Sequence, residues 1–317
     1  MRVGLFYDWD LTLNEEFPQL LIFEKYLSKL HDKYGINNPG EFWEIYNKSE
    51  HPDLEVGYME QMIMDSKEIF GGLTNKIMEE EFAPQTKLAP GVQDWFPRIN
   101  QFAAENGIEL EHHVVSVGTL PLIKGTSIAP YFTSINAGEF LDDGKSIYRI
   151  KKVLDSFRKV SVIKSICKGA DLHEDIPLED YHILHRHSIV FGDGQSDKDM
   201  FRYIRQRGGF AVGVFEKDNG ENFDKLVATL NAENSYKSSV NIIAPRDYSK
   251  NSRIEKKVKE ILIKMQESDS KCDMDYEIVY NSRKKLLKNE EVSKLADKHF
   301  KSCEFCRNRF NTQIYFG

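Results

Sequence analysis

The chain is predicted to be an α/β protein: a parallel-sheet core, interrupted by an all-helical insertion and followed by a helical, charged C-terminal appendage. Three observations predict this. Short β-rich apolar runs recur, and each stops at small or acidic residues. Helical stretches separate them. Residues 14–90 carry helical periodicity and contain no such run.

In chain order, the strands are expected at Val3–Tyr7, His113–Val117, Ser188–Phe191, Phe210–Phe215 and Val240–Ala244. Continuous apolar runs of this length read as strands buried on both faces. The helices between them are expected at Gln93–Asn106, Ile150–Lys168, Asp197–Arg207 and Asn222–Asn231. Each spaces its apolar residues by three or four, as do Trp95, Ile99, Phe102 and Ala103. In the insertion, Leu20, Leu21, Phe23, Tyr26, Leu27 and Leu30 keep the same period, and Leu88-Ala89-Pro90-Gly91 marks its exit. The expected organisation is a Rossmann-like core at 1–13 and 91–246, a helical insertion at 14–90 and an appendage at 247–317.

Composition narrows the class. With 317 residues, 40% hydrophobic and 29% charged, the chain has material for a core and about two domains. No apolar run approaches the roughly 20 residues of a membrane span, and the first apolar run is too short for a secretory signal. A cytoplasmic protein is the expectation. Four cysteines are too few for a disulfide scaffold in so long a chain, so reduced thiols are expected. The net charge of −7 argues against a nucleic-acid footprint over the whole surface. Residues 251–317 depart from it with 15 Lys+Arg against 11 Asp+Glu, leaving −11 for residues 1–250.

The acids fall where ligands bind in open α/β sheets, beyond the carboxyl ends of strands. Asp8 and Asp10 follow the first strand, Ser116 ends the second, and Asp193 and Asp197 follow the third. Of two carboxylates two residues apart, one can act as nucleophile and the other as proton donor and acceptor. Several carboxylates around one pocket repel each other unless a cation neutralises them. A hard divalent ion with oxygen ligands, Mg²⁺, is implied.

These residues carry a resemblance. Phe6-Tyr7-Asp8-Trp9-Asp10-Leu11-Thr12 resembles the first motif of the haloacid dehalogenase superfamily, an apolar strand followed by DxDxT. Val114-Val115-Ser116-Val117-Gly118 is similar to its second motif, and Gly192-Asp193-Gly194-Gln195-Ser196-Asp197 to its fourth. The resemblance implies a phosphatase in which Asp8 is the nucleophile that forms an aspartyl-phosphate. Asp10 would be the acid and base, and Ser116, with Gly118, would bind the phosphoryl oxygens. Mg²⁺ would sit on the Asp8 carboxylate, the Asp10 carbonyl and Asp193, with Asp197 in the outer shell. The remaining element is a lysine that pairs with nucleophile and phosphate. Ile166-Cys167-Lys168-Gly169 favours Lys159, as in phosphoserine-phosphatase-like members, and Lys164 is the reserve. The insertion resembles the family's cap, set between motifs one and two. Leu11 departs from the family, which usually carries Gly there.

Other features admit plainer readings. His182, His185 and His187 read as a solvated segment. Trp43, Tyr46, Tyr58 and Phe70 read as packing within the insertion, with some able to line a pocket. His299, Cys303 and Cys306 offer a structural Zn²⁺ site whose fourth ligand would come from Cys272 or another chain. The basic run Arg283-Lys284-Lys285 reads as a solvated face that could contact nucleic acid or a protein. The expected activity is hydrolysis of a small phosphorylated substrate. The alternatives are a weakly active scaffold that binds a partner through its tail, and a phosphatase of nucleic-acid ends.

Overall fold

A computed structural model describes residues 1–47, 54–216, 240–269, 279, 282–283, 289–303 and 306–307. Its strands are β1 (Arg2–Tyr7), β2 (Glu109–Thr119), β3 (Ser134–Asp142), β4 (Ile147–Lys152), β5 (Ser188–Gly192), β6 (Phe210–Phe215) and β7 (Ile242–Pro245). They form one sheet in the order β4-β3-β2-β1-β5-β6-β7. Every pairing is parallel except β3 with β4. The chain lays strands outward on one side of β1, then crosses and builds on the other. The order therefore reverses at β1, and the crevice at its carboxyl end is the binding position of such a sheet.

The α-helices are α1 (Gln19–Lys25), α2 (Leu27–Tyr34), α3 (Phe42–Asn47), α4 (Leu54–Asp65), α5 (Asn75–Ile77), α6 (Val92–Glu105), α7 (Leu120–Lys124), α8 (Ser156–Lys168), α9 (Lys198–Gln206), α10 (Arg253–Asp269) and α11 (Glu290–Ser302). Strand alternation divides the sheet's core. Val3, Leu5, Tyr7, Ile189 and Phe191 pack on one face with Trp95 and Ile99 of α6. Phe6, Val115, Val190 and Ala211 pack on the other with Ile163 of α8 and Phe201 of α9. Helix α10, placed by the sequence in the appendage 247–317, lays Ile254, Val258, Leu262 and Met265 against the first face. Their three- and four-residue spacing is the stripe of a core helix.

The helices α1 to α5 have a core of their own, including Ile22, Phe23, Phe42 and Phe70, completed by Leu122, Phe140 and Ile147 from α7 and the β3–β4 hairpin. The insertion is stapled where it leaves and rejoins the sheet domain. Asn14 bridges Leu88, Glu15 N–H donates to Lys87 C=O at 2.9 Å, and Ala89 N–H to Leu13 C=O at 3.0 Å.

Some expectations need correction. The helix expected over Ile150–Lys168 begins only at Ser156, because Ile147–Lys152 is the antiparallel edge strand β4. Strand β3 was not anticipated, and β2 runs past Val117 to Thr119 through a register shift beside β3. The helix expected at Asn222–Asn231 lies outside the described residues. His185 and His187 are buried rather than solvated, and the His185 ring packs against the rings of Tyr181 and Tyr203. His185 Nε2 lies 2.9 Å from Tyr203 Oη. Arg283 of the basic run is held within the tail, 3.6 Å from Asp297 and over the Phe300 ring.

Buried histidines also brace the sheet. Trp95 Nε1–H donates to Tyr7 Oη at 3.0 Å. His112 Nδ1 is 3.1 Å from that hydroxyl, and its Nε2 is 2.7 Å from Asn100 Oδ1. Neutral His112, donating from Nε2 and accepting at Nδ1, satisfies the whole chain of bonds. Burial pulls His112 down to about 3, and His113 and His185 down to about 4, from an ordinary 6.5. Between pH 6.5 and 4 the unfolded chain therefore takes up a proton at each of these imidazoles that the folded one refuses, so each of them lowers stability as pH falls. His185→Gln removes one such group, so its urea midpoint relative to that of the unsubstituted chain should rise as pH falls from 6.5 to 4. A difference between the two midpoints that does not change with pH would contradict it.

Candidate active site

Asp8 follows β1 directly, and its N–H donates to Phe191 C=O of β5 at 2.9 Å. The ladder thus delivers its carboxylate to the crevice between β1 and β5. The chain then turns tightly, with Leu13 N–H returning to Trp9 C=O. Leu11 sits at φ +55°, in the left-handed region. For a residue with a Cβ this costs about 1–2 kcal/mol, which explains a preference for Gly at that position. Two contacts hold the strained residue. Its N–H donates to Asn14 Oδ1 at 2.9 Å, and its C=O accepts from Arg246 Nη1 at 2.7 Å.

Lys159 enters from the other side of the sheet. Asp155 caps α8 through Arg158 N–H at 2.7 Å, which places Lys159 in the first turn facing the crevice. Its ammonium is fully buried and donates to Asp8 Oδ1 and Asp197 Oδ1, each at 2.7 Å. Lys164 is exposed. Asp197 Oδ2 accepts from the Asp193 and Gly194 N–H groups at 3.1 and 3.3 Å. Asp197 stands at the N-terminus of α9, but its side chain turns back to fix the loop that carries Asp193.

Ser116 lies in the irregular end of β2, and its Oγ accepts the Gly118 N–H at 3.0 Å. Gly118 presses against the acids: a Cβ there would lie 2.8 Å from Asp10 Oδ2. Asp8, Asp10, Ser116, Gly118 and Asp193 all line one cavity of about 370 Å³. The helical insertion closes it with Phe17, Trp43, Glu55 and Tyr58, and the Tyr58 hydroxyl donates to Val117 C=O at 3.0 Å. Phe70 packs inside the insertion instead, and the Tyr46 side chain lies outside the described residues. The sequence reading missed Gln19, which lines the cavity with its buried Oε1 unbonded. It also missed Asn14 and Arg246; Arg246 is 235 residues from Leu11, and no local pattern marks it.

The acids crowd one another. Burial, then the neighbouring Asp197, push Asp8 up to about 7 against the pull of Lys159. Burial and the charge of Asp8 push Asp10 up to about 8. Asp193 is raised by burial and by Asp197 and Asp8. Burial works against the charge on Lys159, yet Asp197 and Asp8 hold it above the usual lysine range. Among the described residues, the Lys159 ammonium thus faces four carboxylates. Oxygens of Asp8, Asp193 and Asp197 lie within 4.8 Å of one another, a hard all-oxygen donor set that suits a divalent cation. Both Asp197 oxygens already hold protein donors, which suits it to an outer position.

No protein-family model matches the chain, and no curated protein matches it. Solved structures do. A phosphoserine phosphatase in its apo form is 14% identical with a TM-score of 0.45, over 68% of this chain and 86% of its own. A phosphoserine phosphohydrolase-like protein from Francisella tularensis is 17% identical with a TM-score of 0.45, over 71% and 92%. A gene product of Archaeoglobus fulgidus is 11% identical with a TM-score of 0.49, over 86% and 88%.

Removing the buried cation leaves Asp8 and Asp197 uncompensated, so Lys159→Met should cost about 3–5 kcal/mol in denaturant unfolding. Adding Asp197→Asn removes one orphaned charge and should restore part of that loss. Additive losses in the double variant would show that the three groups are not coupled.

Proposed function

We propose that the chain is a phosphomonoester hydrolase of the haloacid dehalogenase type, dependent on Mg²⁺ and working through an aspartyl-phosphate on Asp8. The observation that carries this reading is the buried Lys159 ammonium shared by Asp8 and Asp197, beside Asp10 at a cavity over the carboxyl end of β1. Asp8, the Asp10 carbonyl and Asp193 would hold the cation, with Asp197 behind them. When bound, it supplies positive charge that screens a dianionic phosphate from the carboxylates.

The chain's own groups divide the remaining work. Lys159 fixes one Asp8 oxygen and adds positive charge beside the incoming phosphoryl group. Ser116 accepts the Gly118 N–H, which leaves its hydroxyl proton to donate to a non-bridging phosphoryl oxygen. Asp8 attacks phosphorus, the ester P–O bond breaks, and Asp10 gives its proton to the departing alkoxide. The raised Asp10, at about 8, holds that proton at neutral pH. Asp10 then takes a proton from water, which attacks the aspartyl-phosphate and frees phosphate and Asp8. The cavity admits a small phosphorylated substrate, and its outer wall of Phe17, Trp43 and Tyr58 with one acid, Glu55, receives the leaving group.

Hydrolysis of p-nitrophenyl phosphate should require Mg²⁺, stop with EDTA and vanish in Asp8→Asn. Asp10→Asn should lower kcat by about 10²–10⁴-fold. Undiminished turnover in Asp8→Asn would refute the mechanism. Gly118→Ala, whose methyl displaces the Asp10 carboxylate, should cost up to about 10²-fold in turnover with its unfolding midpoint little changed. Wild-type kinetics in that variant would contradict the placement of Asp10.

A further inference from the structure

We propose that His299, Cys303 and Cys306 form a zinc site at the end of α11, separate from the acid cluster. The donor atoms of the three residues lie within 4.8 Å of one another, and Cys306 Sγ is 3.4 Å from His299 Nε2. Donors on adjacent corners of a zinc tetrahedron, at about 2.0–2.3 Å from the metal, stand roughly 3.4–3.8 Å apart. The cluster is therefore near the metal-bound spacing.

Local structure explains why these residues meet. His299 and Cys303 are four apart at the helix terminus, so they share one face, and Cys303 N–H still donates to His299 C=O at 2.7 Å. Arg307 N–H then donates to Cys303 C=O at 3.1 Å, a further turn that brings Cys306 back to the same side. The Arg307 guanidinium also reaches the Phe300 and Lys301 carbonyls, so the end of the helix is held in this shape by the chain itself. Cys306 is buried and Cys303 half-buried. Two thiolates with a neutral imidazole balance the charge of Zn²⁺, so the bound site carries no net charge. The soft sulfur and nitrogen set selects zinc over the Mg²⁺ suited to the carboxylates. Water completes four-coordination; Cys272 lies outside the described residues. Each bound metal displaces the thiol protons to solvent and joins the end of α11 to the turn that follows it.

The test uses the full chain, reduced and freed of metal, titrated with Co²⁺ and then with Zn²⁺. Thiolate-to-cobalt charge transfer reports cysteine ligation alone, so Co²⁺ on the carboxylates does not interfere. Cys167 cannot supply that signal, since it is buried beside Ser188 with its thiol pushed up to about 12. The expected result is a charge-transfer band with the visible bands of four-coordinate cobalt, saturating at one equivalent and erased by Zn²⁺. Cys303→Ser and Cys306→Ser should each abolish it while leaving p-nitrophenyl phosphate turnover at the wild-type level. No band in the wild-type chain, or a band surviving both serine variants, would overturn the proposal.

Discussion

The ammonium of Lys159, fully buried between Asp8 and Asp197, is the contact on which the arrangement of the crevice depends. It joins three places distant in sequence: the end of β1, the first turn of α8 and the start of α9. Without a cation there, two carboxylates would face each other in a desolvated site, and at least one would take up a proton. With it, Asp8 is fixed by one oxygen, and Asp197 is free to order the Asp193 loop with its other oxygen. The same ion pair that holds the core together thus presents the acids to a ligand. Such a pair contributes little net stability, because desolvation offsets its attraction. Its effect is geometric.

A second constraint is the turn after β1. It must carry the chain out of the sheet, past Asp10, and into the helical insertion within a few residues. Leu11 adopts a left-handed backbone to do so, and the bonds from Asn14 and Arg246 secure it. Arg246 extends this support to the far side of the sheet, since its N–H donates to Phe215 C=O of β6 at 2.6 Å. The neck formed by Asn14 and Leu88 continues it upward. The helical roof over the cavity is therefore anchored by the residues that shape its floor.

Much of this was legible in the residues. Strands β1, β5 and β6 are continuous apolar runs that end at small or acidic residues, and a buried strand leaves no other pattern so short. The ends of β1 and β5 mark the positions of Asp8, Asp10, Asp193 and Asp197. Strand β4 was not legible, because Arg149, Lys151 and Lys152 give an edge strand the look of the helix that follows. Strand β3 is diluted by Asn136, Gly138 and Glu139. Choosing between Lys159 and Lys164 needed the helix phase, since five residues turn a side chain roughly 140° about the axis. The Asp155 cap sets that phase. Gln19, Asn14 and Arg246 carry no local signal, as their roles arise only from tertiary approach.

That Asp8 receives the phosphoryl group is the proposal on which the mechanism turns. It is tested most directly by acid-quenching the protein during turnover of p-nitrophenyl phosphate and mapping its peptides by mass. A phosphoryl adduct on Asp8, absent when substrate is omitted, is the predicted result. Steady hydrolysis with no adduct on Asp8, or an adduct at another residue, would contradict it.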